Sequence, residues 1–372
     1  MRAISDSEVE CAPDIWKYPC THTESRLHQL SPYIGKLKSS IASDLVEKYT
    51  SRGGVVMDPF CGSGTIPLEC AMRGRHVIAS DSNPYAILLT RAKLSAPSSA
   101  EEAILRLEER LEGARARKML PEDETPGWVR QFFHPETLQE VLSFANECLE
   151  NNDNFNLACL LGILHHQRPG FLSYPSSHLI PYLRDKKFPR EKFPELYTKR
   201  SLKPRLLKKI QRTLRGGSVN MMSVSRIVCQ CAIKDIPRNK VDTIITSPPY
   251  MNALDYVRDN RLRMWFLDRR TENYSPEPTD KRNDFMEIIS HFVQNALPQL
   301  KKGGACVLIV GERVQRKHII SHPAEEILEQ IYRCCPRLRL ERVISDLIPD
   351  VRRSRRGSSA TKKELILVLR QT

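Results

Sequence analysis

The run from Val55 to Arg73 leaves this chain little choice of fold. Val55-Val56-Met57 is a short apolar strand. It ends in the turn Asp58-Pro59-Phe60-Cys61-Gly62-Ser63-Gly64-Thr65, and the helical stretch Ile66–Arg73 follows. Glycines at such a turn let a ligand approach the backbone, and the helix N-terminus behind it offers free N–H donors. Counted from Gly62, the third glycine of a dinucleotide fingerprint is replaced by Pro67, which weakens a nicotinamide or flavin reading. No Gly-Lys-Ser/Thr follows, so the turn is not a phosphate-cradling P-loop.

The next segment extends the pattern. Residues 75–80 form a second strand that ends at Asp81, and a helix over 84–94 starts with Pro84 in its first turn. Asp81 stands 19 residues after Gly62, where an acid binds the ribose hydroxyls of an adenosine cofactor. Its alternative role is to cap the helix that begins near Pro84. Strand, loop, helix, strand, helix is the opening of a doubly wound sheet.

After Pro97 the periodicity turns helical. Ile104, Leu107, Leu111 and Ala114 share one spacing, Leu138, Val141, Leu142, Ala145 and Leu149 repeat it, and residues 157–164 are apolar on every face. Residues 168–204 carry no assignable pattern. Strands return near 226, at 241–246 and at 305–311, with a helix at 285–297. Runs at 340–345 and 364–370 form a terminal antiparallel pair. The organisation is one α/β domain in two sequence pieces, 1–96 and 226–372. A mainly helical insert, 97–225, interrupts it and is too long for a simple connection.

Charge points to the partner. Among 372 residues, 58 Lys and Arg face 44 Asp and Glu, a net +14, which favours a polyanion: nucleic acid first, an anionic membrane surface second. No apolar run approaches the ~18 residues of a spanning helix, and the acidic first residues lack the apolar core of a secretory signal. The expectation is a cytoplasmic protein. Eleven cysteines show no zinc-binding spacing, so Cys61, Cys70, Cys148 and Cys159 are expected as buried reduced thiols. His165 and His166, adjacent on a helix, point apart and are expected to pack. No metal site is expected.

The second anchor is Ser247-Pro248-Pro249-Tyr250, at the carboxyl end of the strand 241–246. Open α/β sheets place ligands there. The two prolines stiffen the backbone and remove two N–H donors, leaving an arc of acceptors that includes the Ser247 hydroxyl. An exocyclic amine of a base has its lone pair delocalised into the ring. Fixed acceptors for its hydrogens favour the pyramidal, nucleophilic form. Tyr250 is placed to stack on a base turned out of a duplex. The alternative is a plain polyproline turn with a packing tyrosine.

Taken together, Asp58 through Thr65, Asp81, and Ser247 through Tyr250 resemble the amino-methyltransferases of DNA. His28 through Lys36, reading HQLSPYIGK, resembles the family segment that precedes the first strand and closes over the methionine end of the cofactor. The resemblance implies a Rossmann-like fold with a seven-stranded mixed sheet and S-adenosylmethionine as cofactor. It also implies duplex DNA as substrate, methylated by base flipping, with a cognate restriction system as a possible partner. The implied cofactor residues are Tyr33, Lys36, Asp58, Phe60, Gly62, Ser63, Gly64, Thr65, Asp81 and Asn83. The implied catalytic arc is Ser247, Pro248, Pro249 and Tyr250. Serine at its first position resembles enzymes that act on N4 of cytosine, whereas Asp or Asn is commoner in those that act on N6 of adenine. One departure stands out: where the family often carries an acid near the adenine amino group, this chain reads Cys229-Gln230-Cys231, with Asp235 slightly downstream.

The insert carries a basic run, 199–215, without one acidic residue. Lys208, Lys209 and Arg212 are its candidate phosphate contacts. Arg352, Arg353, Arg355 and Arg356, beside Gly357 and Ser358, form a second candidate clamp on nucleic acid. Two rivals remain open: a base methyltransferase acting on tRNA, and a nucleic-acid-binding protein that has lost catalysis.

Overall fold

The computed structural model describes residues 9–17, 24–33, 35–117, 125–166, 168–176, 186–215, 224–249, 260–268, 281–311, 313–315, 318–321, 323–348 and 363–372. The strands are β1 (Val9–Cys11), β2 (Val55–Asp58), β3 (His76–Asp81), β4 (Arg226–Gln230), β5 (Val241–Thr246), β6 (Leu300–Gly311), a separate hairpin β7 (Arg313–Gln315) and β8 (His318–Ser321), β9 (Leu338–Leu347) and β10 (Lys363–Gln371). The helices are α1 (Ser39–Tyr49), α2 (Thr65–Met72), α3 (Pro84–Leu94), α4 (Ala100–Ala116), α5 (Gly127–Arg130), α6 (Pro135–Glu150), α7 (Asn154–Leu164), α8 (Leu202–Thr213), α9 (Arg261–Leu267), α10 (Lys281–Asn295) and α11 (Pro323–Cys334).

The main sheet has the order β1-β9-β10-β6-β5-β2-β3-β4. Every strand is parallel to its neighbours except β10, which runs antiparallel to both β6 and β9. This is the expected mixed, doubly wound sheet, with eight strands instead of seven. The extra strand, β1, adds to the β9 edge with Val9 opposite Val343. Three residues with no alternation gave no signal; pairing to an edge, and the ion pair Glu10–Arg342, place them.

The strands are apolar on both sides because both faces are covered. Met57, Ile78, Ile244, Leu308 and Leu367 pack against Ile289 and Phe292 of α10 and Ile327 and Ile331 of α11. Their neighbours Val56, Val77, Ile245, Val307 and Ile366 point the other way, onto Ile41 and Leu45 of α1 and Ile66 and Cys70 of α2. The alternation has the period of two that a pleated strand imposes.

The helices of the insert share a core with the sheet's own helices. Leu68 of α2 and Tyr85, Leu88 and Leu89 of α3 belong to one buried cluster with Leu107, Phe144, Leu160, Leu206 and Trp265. Arg263 on α9 is buried and donates to the carbonyls of Leu161 and His165 at 3.1 and 2.8 Å, tying the segment after β5 to α7. Cys61, Cys70, Cys148 and Cys159 are all buried free thiols. His165 and His166 pack against Phe132 and Phe171 respectively. Among the described residues, no helix is long and apolar enough to cross a membrane.

Candidate functional site

The chain crosses from one side of the sheet to the other between β2 and β5. Open sheets bind ligands at that switch point. Asp58 ends β2 and Thr246 ends β5, and the Thr246 hydroxyl donates to Asp58 Oδ1 at 2.6 Å. The Phe60 N–H is shared between Thr246 Oγ1, at 3.2 Å, and Asp58 Oδ1, at 3.4 Å. Two segments 188 residues apart are thus laced into one floor. The next residue, Ser247, donates its hydroxyl to the Ile309 carbonyl of β6 at 3.3 Å. That donation commits the only hydroxyl proton and leaves the oxygen as an acceptor. Pro248 is buried and Pro249 half-buried.

Asp81 organises the other wall. Its Oδ2 accepts from the Gly62 N–H and its Oδ1 from the Asn83 N–H, both at 2.9 Å. The acid therefore pins the glycine turn to the end of β3. It leaves the helix cap to Asn83, whose side-chain oxygen accepts from the Tyr85 N–H at 2.9 Å. Gly64 sits at φ +72°, in the left-handed region, at the N-cap of α2. A Cβ there would lie 2.7 Å from Thr90 Oγ1 and 2.9 Å from Thr90 Cα, so only glycine lets the turn close against α3. The Ser63 carbonyl accepts from the buried amine of Lys93, and the Ser63 and Thr65 hydroxyls lie 3.3 Å apart.

The segment 28–36 closes the third side. His28 and Glu69, both buried, bond at 2.6 Å through His28 Nε2, and Glu69 also pairs with Arg73. Tyr85 Oη lies 2.6 Å from the Ser31 hydroxyl and donates to the Pro32 carbonyl at 2.9 Å. These contacts set Tyr33 against the turn: its ring lies 3.5 Å from where a Cβ on Gly62 would stand. The Lys36 amine donates to the His28 carbonyl at 2.6 Å, a contact within the segment itself.

Burial governs the electrostatics. Asp58 is 3% exposed, and burial pushes its carboxyl up to about 7 against the pull of the Thr246 and Phe60 hydrogen bonds. Asp81 is raised by burial as well, opposed by the N–H groups of Asn83 and Gly62. Burial lowers Lys36 and holds His28 below the usual imidazole range, so His28 is neutral near pH 7 and donates from Nε2 to Glu69.

The structure brings together Tyr33, Asp58, Phe60, Gly62, Ser63, Gly64, Thr65, Asp81 and Asn83 with Ser247 and Pro248 at one end of the sheet. Tyr250 and the clamp residues Arg352, Arg353, Arg355 and Arg356 lie outside the described residues. In the basic run, Lys208 and Arg212 are exposed on α8. Lys209 is a correction: it is 4% exposed, and its amine points inward to the Gln29 carbonyl at 3.0 Å. Helical rotation turns it about 100° from Lys208, onto the face that carries Leu206 and Ile210. Other members of the run are occupied too, Lys203 by Glu108 and Arg200 by three backbone carbonyls. Asp235 is exposed after β4. Thr246, Lys93 and Tyr85 escaped the sequence reading. Of these, only Thr246 carried a signal, as the residue immediately before Ser247.

The DNA methylase family N6_N4_Mtase matches residues 5–92. The chain is similar to the Type II methyltransferase M.MjaII of Methanocaldococcus jannaschii, with 31% identity over 68 residues, 18% of this chain and 13% of that one. It is similar to the Type II methyltransferase M.BsoBI of Geobacillus stearothermophilus, with 25% identity over 270 residues, 65% of this chain and 52% of that one. The chain thus spans about half, or less, of the length of these curated relatives. Among solved structures, TrmN from Thermus thermophilus is similar at 14% identity and a TM-score of 0.38, covering 94% of this chain and 55% of that one.

Proposed function

We propose that this chain, which matches the DNA methylase family over residues 5–92, transfers a methyl group from S-adenosylmethionine to an exocyclic amino group in duplex DNA, N4 of cytosine being the target. The observation that carries the reading is the floor at the switch point. Asp58 and Thr246 bind each other there, which sets the glycine turn beside Ser247, and Ser247 is held as an acceptor by its bond to Ile309.

The residues present fit the cofactor. Asp81 has both oxygens fixed by backbone N–H groups, and each keeps a lone pair for a ribose hydroxyl. The Asn83 amide nitrogen is buried and has no partner among the described residues, so a polar group has a donor waiting beside that acid. The close approach of Tyr33 to Gly62 supplies an apolar cover. Bound S-adenosylmethionine supplies an electrophilic methyl group on sulfur.

The protein's own part is to orient the amine. Ser247 Oγ accepts one of its hydrogens, and the adjoining carbonyls of the Ser-Pro-Pro turn are candidates for the other. This localises the nitrogen lone pair for attack. Pro248 and Pro249 have no N–H to compete for those acceptors. Tyr250, on sequence grounds alone, stacks on the extruded base. Lys208 and Arg212 contact phosphates without reading sequence. A DNA substrate fits a cytoplasmic protein.

The test is incubation with S-adenosylmethionine and duplex DNA or tRNA, followed by nucleoside mass spectrometry. N4-methylcytosine from DNA is the expected product. N6-methyladenine would move the target base and keep the chemistry, whereas a methylated tRNA nucleoside alone would overturn DNA as substrate. Ser247→Ala should cut single-turnover methyl transfer about 100-fold, the size of losing one oriented transition-state hydrogen bond, with cofactor affinity unchanged.

A further inference from the structure

The buried lysine of the insert points to a link between the two ligands. Three neighbouring backbone groups of the segment 28–36 are held from outside or by its own end. Lys36 donates to the His28 carbonyl, and Lys209 of α8 donates to the Gln29 carbonyl. On α7, Gly162 faces the Leu30 carbonyl so closely that a Cβ would stand 2.5 Å from it, and 3.2 Å from Lys209 Cε. The insert therefore touches the backbone of this segment directly, just before Tyr33 reaches the glycine turn. Lys209 makes no ion pair among the described residues, although it sits among Leu202, Leu206 and Ile210, where a methionine of similar length would pack without burying a charge. An ammonium kept in such a place holds a position at a cost in desolvation. The same helix presents Lys208 and Arg212 to solvent.

We infer that α8 couples the nucleic-acid face to the cofactor site, with Lys209 as the positioning residue: load on the outer face of α8 is passed through the Gln29 carbonyl to the segment that carries Tyr33. The inference rests on the functional reading above. By linkage, if bound DNA moves this segment toward its closed position, DNA tightens the cofactor and the cofactor tightens DNA by the same factor.

The experiment is calorimetric binding of S-adenosylmethionine to the full chain, alone and with saturating duplex DNA, in wild type, Lys209→Met and Lys209→Arg. Wild type should bind the cofactor about 5-fold or more tighter with DNA present, within the usual range of such couplings. Lys209→Met should bring that ratio to one, with a thermal midpoint lowered only as far as the Gln29 carbonyl, left without this donor, requires. Lys209→Arg, which keeps a donor, should recover part of the ratio. A structural role alone would show a lower midpoint with the ratio intact. A wild-type ratio of one, with both ligands bound, overturns the coupling and leaves the enzyme reading standing. Failure of wild type to bind S-adenosylmethionine at all overturns both.

Discussion

Asp58 carries a carboxyl that burial moves well out of its ordinary range. Its carboxyl titrates near 3.8 in an open chain and at about 7 in this fold, with burial as the first cause. A raised pKa means that the folded state holds a proton that the unfolded state has released. The stability this group contributes is complete below the unfolded value and is lost as pH rises through about 7. Across that window the slope approaches about 1.36 kcal/mol per pH unit. Asp58→Asn stays neutral and keeps an acceptor for Thr246. Urea midpoints taken at pH 5 and pH 8 should differ less in this variant than in wild type; an equal difference would remove Asp58 as the source. Gly64 invites a simpler test. Gly64→Ala forces a methyl into Thr90 at a left-handed backbone position, and chemical denaturation should show a loss of about 2–4 kcal/mol, combining overpacking with backbone strain.

Among the elements, α8 shows how a charge run divides. Eight basic residues between 199 and 215 look alike in sequence, yet the helix sends Lys209 inward, and Lys199 and Lys203 meet Glu136 and Glu108. Lys208 and Arg212 remain for phosphate. Their joint replacement by Ala should weaken binding to every duplex alike. It should also make the log–log salt dependence shallower by about 1.8, roughly 0.9 for each phosphate that is no longer neutralised. Fluorescence anisotropy over a salt series measures it; an unchanged slope would make this face merely solvated. The elements themselves were largely legible. Helix α3 begins at Pro84, and β5 spans Val241–Thr246, as their apolar runs and flanking prolines indicate. The short β1 was not, because three residues carry no period.

The whole molecule behaves as a sheet with a helical layer built into its core. Arg263 and the cluster from Leu68 to Trp265 join α2, α3, α7 and α9. Trp16 lies with the α1 side of the sheet and Trp265 in the helical layer, so the two parts carry separate reporters. Arg263→Met leaves the Leu161 and His165 carbonyls without this donor, a loss of about 2 kcal/mol or more. Urea transitions followed by tryptophan fluorescence and by far-ultraviolet circular dichroism should coincide in wild type and shift together in the variant. Two separated transitions would show that the helical layer unfolds by itself.

The glycine turn, the acid at the end of the following strand and the Ser-Pro-Pro arc could be read from the sequence by itself. Each is a short-range arrangement, governed by backbone sterics and by strand and helix periods within a few residues. The same holds for the mixed sheet, since its strands and connecting helices alternate along the chain. Only the tertiary structure decided that Thr246 bonds Asp58 from 188 residues away, because strand order depends on which apolar faces pair across the whole sheet. It also decided that Asp81 grips Gly62 as well as the Asn83 backbone, and that Lys209 faces inward. One residue of helix, about 100° of rotation, decides whether a lysine meets solvent or the Gln29 carbonyl, and the packing of α8 against α7 and residues 26–30 sets that rotation.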